Sequence, residues 1–351
     1  MNELTKLLSN PGRKVSNQAR LLRLIRAHKS ISQAGLSAVT RLQPSTVSYL
    51  IRELKGKKLL CEKGKGESGK QGGKKSVLLS LNGEYGFFSG IYIKKDSILY
   101  TLNDFSGKVL IQTEDKITNF TSESVIDKIV SIFRKNNNEI SSIKGLGISV
   151  ESVVSPKGSI TLSPGFNWEI PEFKKCIMKK IRNIPIVIEN DANCAAYFLH
   201  YYLKEKYKNI IAFLIYLAPF GIGSGIIIEK KLFRGNNGAV GEIWRPENDI
   251  INFYKNYRSE NLNNIALEPS FMQLLAEVKK LILSACFLLD PEMLILWGDI
   301  ANIDKSILST FIDSLKQHLN SEILVSYDMY LPILGAEMLA ADSYTLSLLK
   351  S

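Results

Sequence analysis

Histidine, cysteine and tryptophan are scarce in this chain, at 3, 4 and 3 of 351 residues. His28, His200 and His318 are isolated, and Cys61, Cys176, Cys194 and Cys286 form no CxxC pair. This excludes a sequence-local zinc site and a disulfide framework, and it fits a reducing compartment. Acidic residues are scarce in the first quarter. Residues 1–80 hold 17 Lys and Arg against 4 Asp and Glu, a net of +13. The rest of the chain holds 28 basic and 30 acidic residues, a net of −2. The opening stretch, MNELTKLLSNPGRK, lacks the apolar segment of a signal peptide, so none is expected. Only Ile210–Ile228 is long and uncharged enough to test as a membrane span. Its second half carries Pro219, Gly221, Gly223, Ser224 and Gly225. It reads instead as a buried strand, Ile210–Leu217, a glycine turn, and a second strand, Gly225–Ile228. The expectation is a soluble, cytoplasmic protein with no membrane partner.

What is present is an ordinary globular composition, 45% hydrophobic and 23% charged, long enough for two or three domains. A compact basic module on a near-neutral body points to a polyanion partner for that module. Val15–Lys29 has helical spacing, with Leu21, Leu22, Leu24 and Ile25 on one side and Arg20, Arg23 and Arg26 on the other. Ser32 is a good N-cap for a short helix, Gln33–Thr40, with Leu36 and Val39 inward. Arg41–Gln43 make a turn, and Pro44 opens a helix to Lys55 that buries Val47, Leu50, Ile51 and Leu54. Two short helices split by three residues are helix-turn-helix spacing. Leu59–Glu62, a Gly/Lys run at 64–75 and Ser76–Leu81 read as a hairpin with a long tip, a wing.

The DNA-facing candidates follow from this pattern. The first turn of the Pro44 helix presents Ser45, Thr46, Ser48 and Tyr49, with Arg52 one turn later. Short hydroxyls let a backbone approach the major groove, and Arg52 can reach a phosphate or guanine. Arg41 and Gln43 lie where the turn meets the DNA backbone. Lys70, Lys74 and Lys75 in the wing can follow phosphates or enter a minor groove. A basic solvated module that binds protein is the competing reading of the same residues.

Beyond Asn82–Gly86 the pattern changes. Strands are expected at Phe87–Ile93, Ser97–Leu102 and Lys108–Thr113, then a helix at Ser122–Lys135. A strand at Gly145–Val150, a helix at Pro171–Ile181, a strand at Ile186–Glu189 and a helix at Asp191–Leu203 follow. After the strands near Ile210 and Gly225 come a long helix, Phe271–Leu289, a strand, Met293–Trp297, a helix, Lys305–Leu319, and a last helix from Gly335. A β-β-β-α-β-α-β-α block followed by a second β-then-α block suggests an α/β body of two related lobes.

These residues carry a family resemblance. Asn17-Gln-Ala-Arg-Leu-Leu, Ile31-Ser-Gln-Ala-Gly-Leu, Ser45-Thr-Val-Ser and Gly72-Gly-Lys-Lys resemble the winged helix-turn-helix of the repressor branch of the ROK family (repressors, open reading frames, kinases). Glu189-Asn-Asp-Ala-Asn-Cys-Ala-Ala, Arg234-Gly-Asn-Asn-Gly-Ala-Val-Gly-Glu and Gly335-Ala resemble its two-lobed, actin-like, sugar-kinase domain. The resemblance implies a winged helix-turn-helix at 1–82 and a ROK-like body at 83–351. It also implies a lobe boundary near 195–205 and a C-terminal helix returning to the first lobe.

The resemblance further implies that Asn190 contacts a sugar, that Asp191 occupies the position of a kinase base, and that Glu242 hydrogen-bonds the sugar. The chain departs from the family at other points. Trp244 and Arg245 replace the Gly-His that follows the glutamate, and a protonated arginine is no zinc ligand. Tyr92-Ile-Lys-Lys-Asp stands where Asp-x-Gly-Gly-Thr cradles phosphate, and Pro219-Phe220 where Gly-Thr is usual. Gly221-Ile-Gly-Ser-Gly remains, read as a tight turn rather than a phosphate loop. Asn167 and Arg245 join Asn190, Asp191 and Glu242 as effector candidates, with Trp168 beside Asn167; either Asn190 or Asp191 also suits a helix cap. Tyr197, Tyr201 and Tyr202 read as core or dimer surface. The expectation is a DNA-binding regulator, a repressor of carbohydrate-related genes. It would act as a homodimer or higher oligomer on a double-stranded operator, with a sugar or sugar-phosphate effector, no metal, no cofactor and no enzymatic activity. A kinase with a DNA-binding head and a body that serves only as a dimer scaffold stay open as alternatives.

Overall fold

The structure is a computed structural model that describes residues 12–65, 76–94, 96–117, 121–139, 143–162, 172–243, 249–257, 265–266 and 268–350. The chain forms two compact units. The first comprises residues 1–190, 201–204 and 333–351, and the second comprises 191–200 and 205–332.

The first unit opens with the head. Helix α1 (Arg13–His28) is followed by β1 (Ile31–Ser32), α2 (Gln33–Thr40) and α3 (Pro44–Gly56). Ser32 caps α2 as its sequence suggests, its hydroxyl accepting from the Gly35 N–H at 3.1 Å. Pro44 occupies the first turn of α3, and Val47, Leu50, Ile51 and Leu54 are buried. Val39, expected inward, is exposed. It lies three residues from Leu36, but α2 has only eight residues, and its buried positions are Leu36 and Thr40. The wing strands β2 (Leu60–Lys65) and β3 (Val77–Leu81) pair antiparallel. The two-residue β1 adds a third strand on the other side of β3, which short-range periodicity could not reveal.

A five-stranded sheet follows, in the order β10-β7-β4-β5-β6. Its strands are β4 (Phe87–Ile93), β5 (Ser97–Asp104), β6 (Val109–Lys116), β7 (Ile143–Val150) and β10 (Ile186–Asn190), with β8 (Val153–Val154) and β9 (Ile160–Leu162) forming a separate ribbon. The β4-β5-β6 meander is antiparallel, while β7 and β10 run parallel to β4. Helices α4 (Ser122–Glu139) and α5 (Phe173–Lys180) supply the crossovers. Val125, Ile129 and Phe133 of α4, and Phe173 and Ile177 of α5, bury against Ile91, Leu146 and Ile148.

The second unit repeats this order of strands. It begins with most of α6 (Asp191–Tyr202), and β11 (Ile210–Leu217), β12 (Phe220–Ile228) and β13 (Lys231–Leu232) form an antiparallel meander. The strands β14 (Met293–Gly298) and β15 (Glu322–Ser326) run parallel to β11. Helices α7 (Asp249–Asn256), α8 (Phe271–Leu289) and α9 (Lys305–Lys316) pack apolar faces on this sheet. The run 210–228 is therefore a β-hairpin, and no described helix is long and apolar enough to cross a membrane. One expectation fails here. Gly221, Gly223 and Gly225 lie within β12, paired to Tyr216, Leu214 and Ala212, and the turn is at Ala218 and Pro219.

The last helix, α10 (Leu331–Lys350), lies in the first unit from Ile333 onward. It approaches β7 so closely that a Cβ at Gly147 would sit 1.9 Å from the Ala336 carbonyl oxygen. The position tolerates no side chain. Its other side joins the head. Ala341, Leu346 and Leu349 share one apolar core with Leu21, Leu22, Leu24 and Ile25 of α1 and with Phe88 and Phe105. Polar contacts accompany this core. Arg26 donates to the Phe105 carbonyl at 3.0 Å, and Lys57 donates to the Leu348 carbonyl at 3.2 Å. Arg23 lies 3.7 Å from Asp342.

Beneath this junction Glu337 is buried, and Asn103 donates to its Oε2 at 3.4 Å. Burial pushes its carboxyl up to about 7 from an ordinary 4.5. Asp342 and Asp104 push the same way, while Arg26 and the Asn103 hydrogen bond pull it down. The folded chain thus holds this proton to higher pH than the unfolded chain does. The associated stability is complete below about pH 4.5 and is lost as pH rises through 7. Glu337→Gln is expected to stabilise the protein at pH 8 by as much as about 3 kcal/mol. The gain should vanish towards pH 4.5, and urea melts across that range check it.

Candidate nucleic-acid interface and effector residues

The geometry of the head divides α3 into two faces. Val47, Leu50, Ile51 and Leu54 face the core, and Ser45, Ser48, Tyr49 and Arg52 are exposed on the other side, with Thr46 half-buried. The 3.6-residue period places these four side chains along one stripe. Arg41 closes α2 in the left-handed conformation, with φ 59°, its N–H donating to the Ser37 carbonyl at 2.9 Å. Thr40 is buried beneath this turn, and its hydroxyl donates to the Leu36 carbonyl at 2.6 Å. Arg41 and Gln43 are exposed, and Gln43 makes no side-chain cap bond. The seven DNA candidates of the helices thus lie on or beside one surface. Lys70, Lys74 and Lys75 lie outside the described residues.

Three further residues, Lys14, Gln18 and Glu53, organise this surface and were missed in the sequence. Tyr49 donates its hydroxyl proton to Glu53 Oε1 at 2.7 Å. Lys14 of α1 donates to the same oxygen at 2.7 Å and to the Tyr49 hydroxyl oxygen at 3.4 Å. Gln18, buried on α1, donates to the other carboxylate oxygen at 2.8 Å. The hydrogen bond to Glu53 raises the Lys14 ammonium above its ordinary range, with Tyr49 adding to it. The same bond, followed by that of Tyr49, lowers the Glu53 carboxyl. The available signal was the four-residue Tyr49/Glu53 spacing, together with Glu53 being the sole acid between Leu4 and Cys61.

In the body, Asn190 ends β10, and its amide donates to the Ser152 carbonyl at 3.2 Å, within the first unit. Asp191 opens α6 in the second unit; it is buried, and its carboxylate accepts from the Ala192 N–H at 2.8 Å. Within that second unit, two close approaches bring α6 and the Glu242 segment to the same part of β12. A Cβ at Gly225 would sit 2.1 Å from the Ala192 carbonyl oxygen. Gly241, at φ +97°, would place a Cβ 1.9 Å from the carbonyl oxygen of Ser224, whose N–H donates to the Gly241 carbonyl at 3.1 Å. Asp191 and Glu242 are thereby tied to adjacent residues of one strand. Of the β12 glycines, Gly225 serves this packing, while a Cβ at Gly221 or Gly223 would meet nothing nearer than 3.9 Å. Asn167, Trp168, Trp244 and Arg245 lie outside the described residues.

The first kinase phosphate-loop position, from Tyr92 to Asp96, joins β4 to β5. It is closed by the Lys94 N–H donating to the Ser97 carbonyl at 2.9 Å. Lys94 also lies 3.5 Å from Glu114, which accepts from the Ser97 hydroxyl at 2.7 Å. The second position is organised by Asp299, which accepts from the Leu217 N–H at 2.9 Å. Burial raises its carboxyl, opposed by backbone hydrogen bonds from Leu217 and Ala218. Of the tyrosine cluster, Tyr197 and Tyr201 are buried and Tyr202 is exposed.

A winged helix-turn-helix joined to two α/β lobes of matching strand order defines the class: a DNA-binding-type head on an actin-like, sugar-kinase-type body. The chain contains a ROK family domain: the ROK family model matches residues 89–244. It is 32% identical over 256 residues to a xylose repressor of Staphylococcus xylosus, a match covering 70% of this chain and 65% of that protein. The chain therefore spans just under two thirds of that relative's length. Its fold is shared with a ROK family transcriptional regulator described as a homolog of the E. coli MLC protein, at a TM-score of 0.71 and 19% identity. That match covers 96% of this chain and 98% of the other. A ROK family glucokinase from Streptomyces griseus, solved with glucose and AMPPNP, has a TM-score of 0.59 at 18% identity, covering 73% and 99%.

Gly241→Ala is expected to lower stability by about 1–3 kcal/mol, because both the positive φ and the Ser224 carbonyl oppose a Cβ. A fall in the urea midpoint checks this. Ser224→Ala, which removes only the hydroxyl bond to the Gly241 carbonyl, is expected to cost about 1 kcal/mol.

Proposed function

We propose that this chain is a sequence-specific DNA-binding transcriptional regulator, a repressor of sugar-related genes acting in the cytoplasm. The observation that carries the reading is the exposed stripe Ser45, Ser48, Tyr49 and Arg52 on α3, in a head of net charge +13 over residues 1–80. Such a stripe meets base edges, and the surrounding charge supplies phosphate attraction. The xylose repressor relative supports the same reading. A homodimer would present two such helices to a palindromic operator about one duplex turn apart.

The body senses a sugar or sugar phosphate, with Asn190, Asp191 and Glu242 as its contacts and Asn167 and Arg245 as further candidates. A sugar can shift the DNA-binding equilibrium only by binding two states of the protein unequally. The body is not a working kinase on this reading. The stretch between β4 and β5 carries Lys94 and Lys95 in place of the glycines that let backbone N–H groups approach phosphate. Asp191 is the residue that favours the alternative kinase reading, since a carboxylate suits a general base at a sugar hydroxyl.

The test is fluorescence anisotropy on the DNA upstream of the chain's own gene, against a scrambled duplex, across a salt series. Xylose heads a panel of sugars and sugar phosphates because of the relative's name. The expected result is preference for the native duplex, relieved by one ligand. Arg52→Ala is expected to weaken binding, with the salt slope falling by about one if Arg52 holds a phosphate. Equal binding to scrambled DNA at all salts overturns the regulator reading. ATP-dependent sugar phosphorylation abolished by Asp191→Asn would replace it with the kinase.

A further inference from the structure

The proposed DNA contact leaves open what Tyr49 reads, and its hydrogen-bond partners answer it. Tyrosine can donate one proton or accept, and a phosphate oxygen requires a donor. The Tyr49 proton is committed to Glu53 Oε1 at 2.7 Å. That carboxylate is held from two sides, by Lys14 on the same oxygen at 2.7 Å and by buried Gln18 on the other at 2.8 Å. Gln18 is 2% exposed, so the carboxylate is anchored from the core side and aimed outward. Tyr49 itself is 43% exposed. Its ring lies beneath two cations, with Lys14 Nζ 5.4 Å and the Arg52 guanidinium carbon 5.7 Å from the centroid. Lys14 donates to the hydroxyl oxygen only at 3.4 Å, so the hydroxyl meets a ligand with its remaining lone-pair density, while the adjacent carboxylate repels phosphate.

Resting on the DNA-binding reading above, we propose that Tyr49 is a base-reading hydrogen-bond acceptor and that Glu53 is the positioning residue that makes it one. An acceptor in the major groove pairs with the exocyclic amine of adenine or cytosine, and not with the O6 of guanine or the O4 of thymine. The one acidic residue of α3 is thus part of the specificity apparatus. It weakens non-specific attraction to phosphate while fixing the direction of one hydroxyl proton.

The experiment is binding-site selection by the full chain from a randomised duplex pool, run in parallel for wild type, Tyr49→Phe and Glu53→Ala. The position read by Tyr49 is the one whose base profile changes between wild type and Tyr49→Phe. There wild type should favour adenine or cytosine about three- to tenfold, the worth of one hydrogen bond. Tyr49→Phe retains the ring and its cation contacts, and should flatten that position alone. Glu53→Ala frees the proton, so the same position should also accept guanine or thymine. Replacing the selected base by an analogue without its amine should cost wild type about the same three- to tenfold. The replacement should cost Tyr49→Phe nothing.

An enriched operator with the same profile in wild type and Tyr49→Phe overturns the proposal, as does a Tyr49-dependent position that selects guanine or thymine. These results leave the regulator reading standing. Enrichment of no sequence by wild type overturns that reading, and this proposal with it. Circular dichroism of both variants separates loss of reading from loss of fold, and Tyr49→Phe decides the matter if Glu53→Ala unfolds.

Discussion

The contact on which the first unit depends is the approach of α10 to its sheet, with the Ala336 carbonyl against the bare backbone of Gly147. Close packing of small residues brings the helix near enough for its far side to serve a second purpose. Ala341, Leu346 and Leu349 complete the core of the head, which α1, α2 and α3 could not close alone. A three-helix module of this size has little interior, and borrowing one wall from the body offsets that. The head is consequently one body with the first lobe, so the reading face of α3 is oriented by the sheet beneath it. Anything that moves the first unit moves the reading face.

Charge is distributed to suit that arrangement. The surface of the head is basic, and some of its polar side chains serve the junction with α10. Arg26 spans it, donating to the Phe105 carbonyl while lying 5.5 Å from the centre of the Phe105 ring. Glu337 sits where an ionised carboxylate is costly, close to the charges of Arg26, Asp342 and Asp104. The half-buried carboxylate of Glu53 is stabilised instead by donors from α1 and α3. Burial raises the carboxyl of one acid and hydrogen-bonding partners lower that of the other, and Glu53 ties α1 to α3.

Much of this architecture was legible from residue order. Apolar periodicity gave α1, α3, α4 and α8 to within a few residues, because each buries a continuous stripe. Ser32 and Pro44 marked helix starts because capping is a local matter of one donor and one acceptor. The repeated β-then-α blocks announced two related lobes. The inward assignment of Val39 failed because two turns of helix bury too few positions to fix a face. The glycines of β12 were read as a turn because glycine punctuates loops. The cause of Gly225 lies in the carbonyl of Ala192, which is distant in sequence. β15, with its half-buried pattern, and the two-residue β1 carried no period strong enough to read.

The candidate site divides in the same way. Residue order by itself determined the basic head, the helix-turn-helix spacing and the exposed stripe on α3, all of which follow from composition and from periods within a dozen residues. It also determined that the kinase-like motifs are incomplete, since the substitutions at Lys94, Lys95 and Arg245 are visible in the letters. Only the tertiary structure decided that Lys14 and Gln18 converge on Glu53, that Glu53 takes the Tyr49 proton, and that the C-terminal helix builds part of the head. Apart from the four-residue Tyr49–Glu53 step, these contacts join residues from 35 to 291 positions apart. Burial and hydrogen-bond geometry across such separations are properties of packing, which no local pattern encodes.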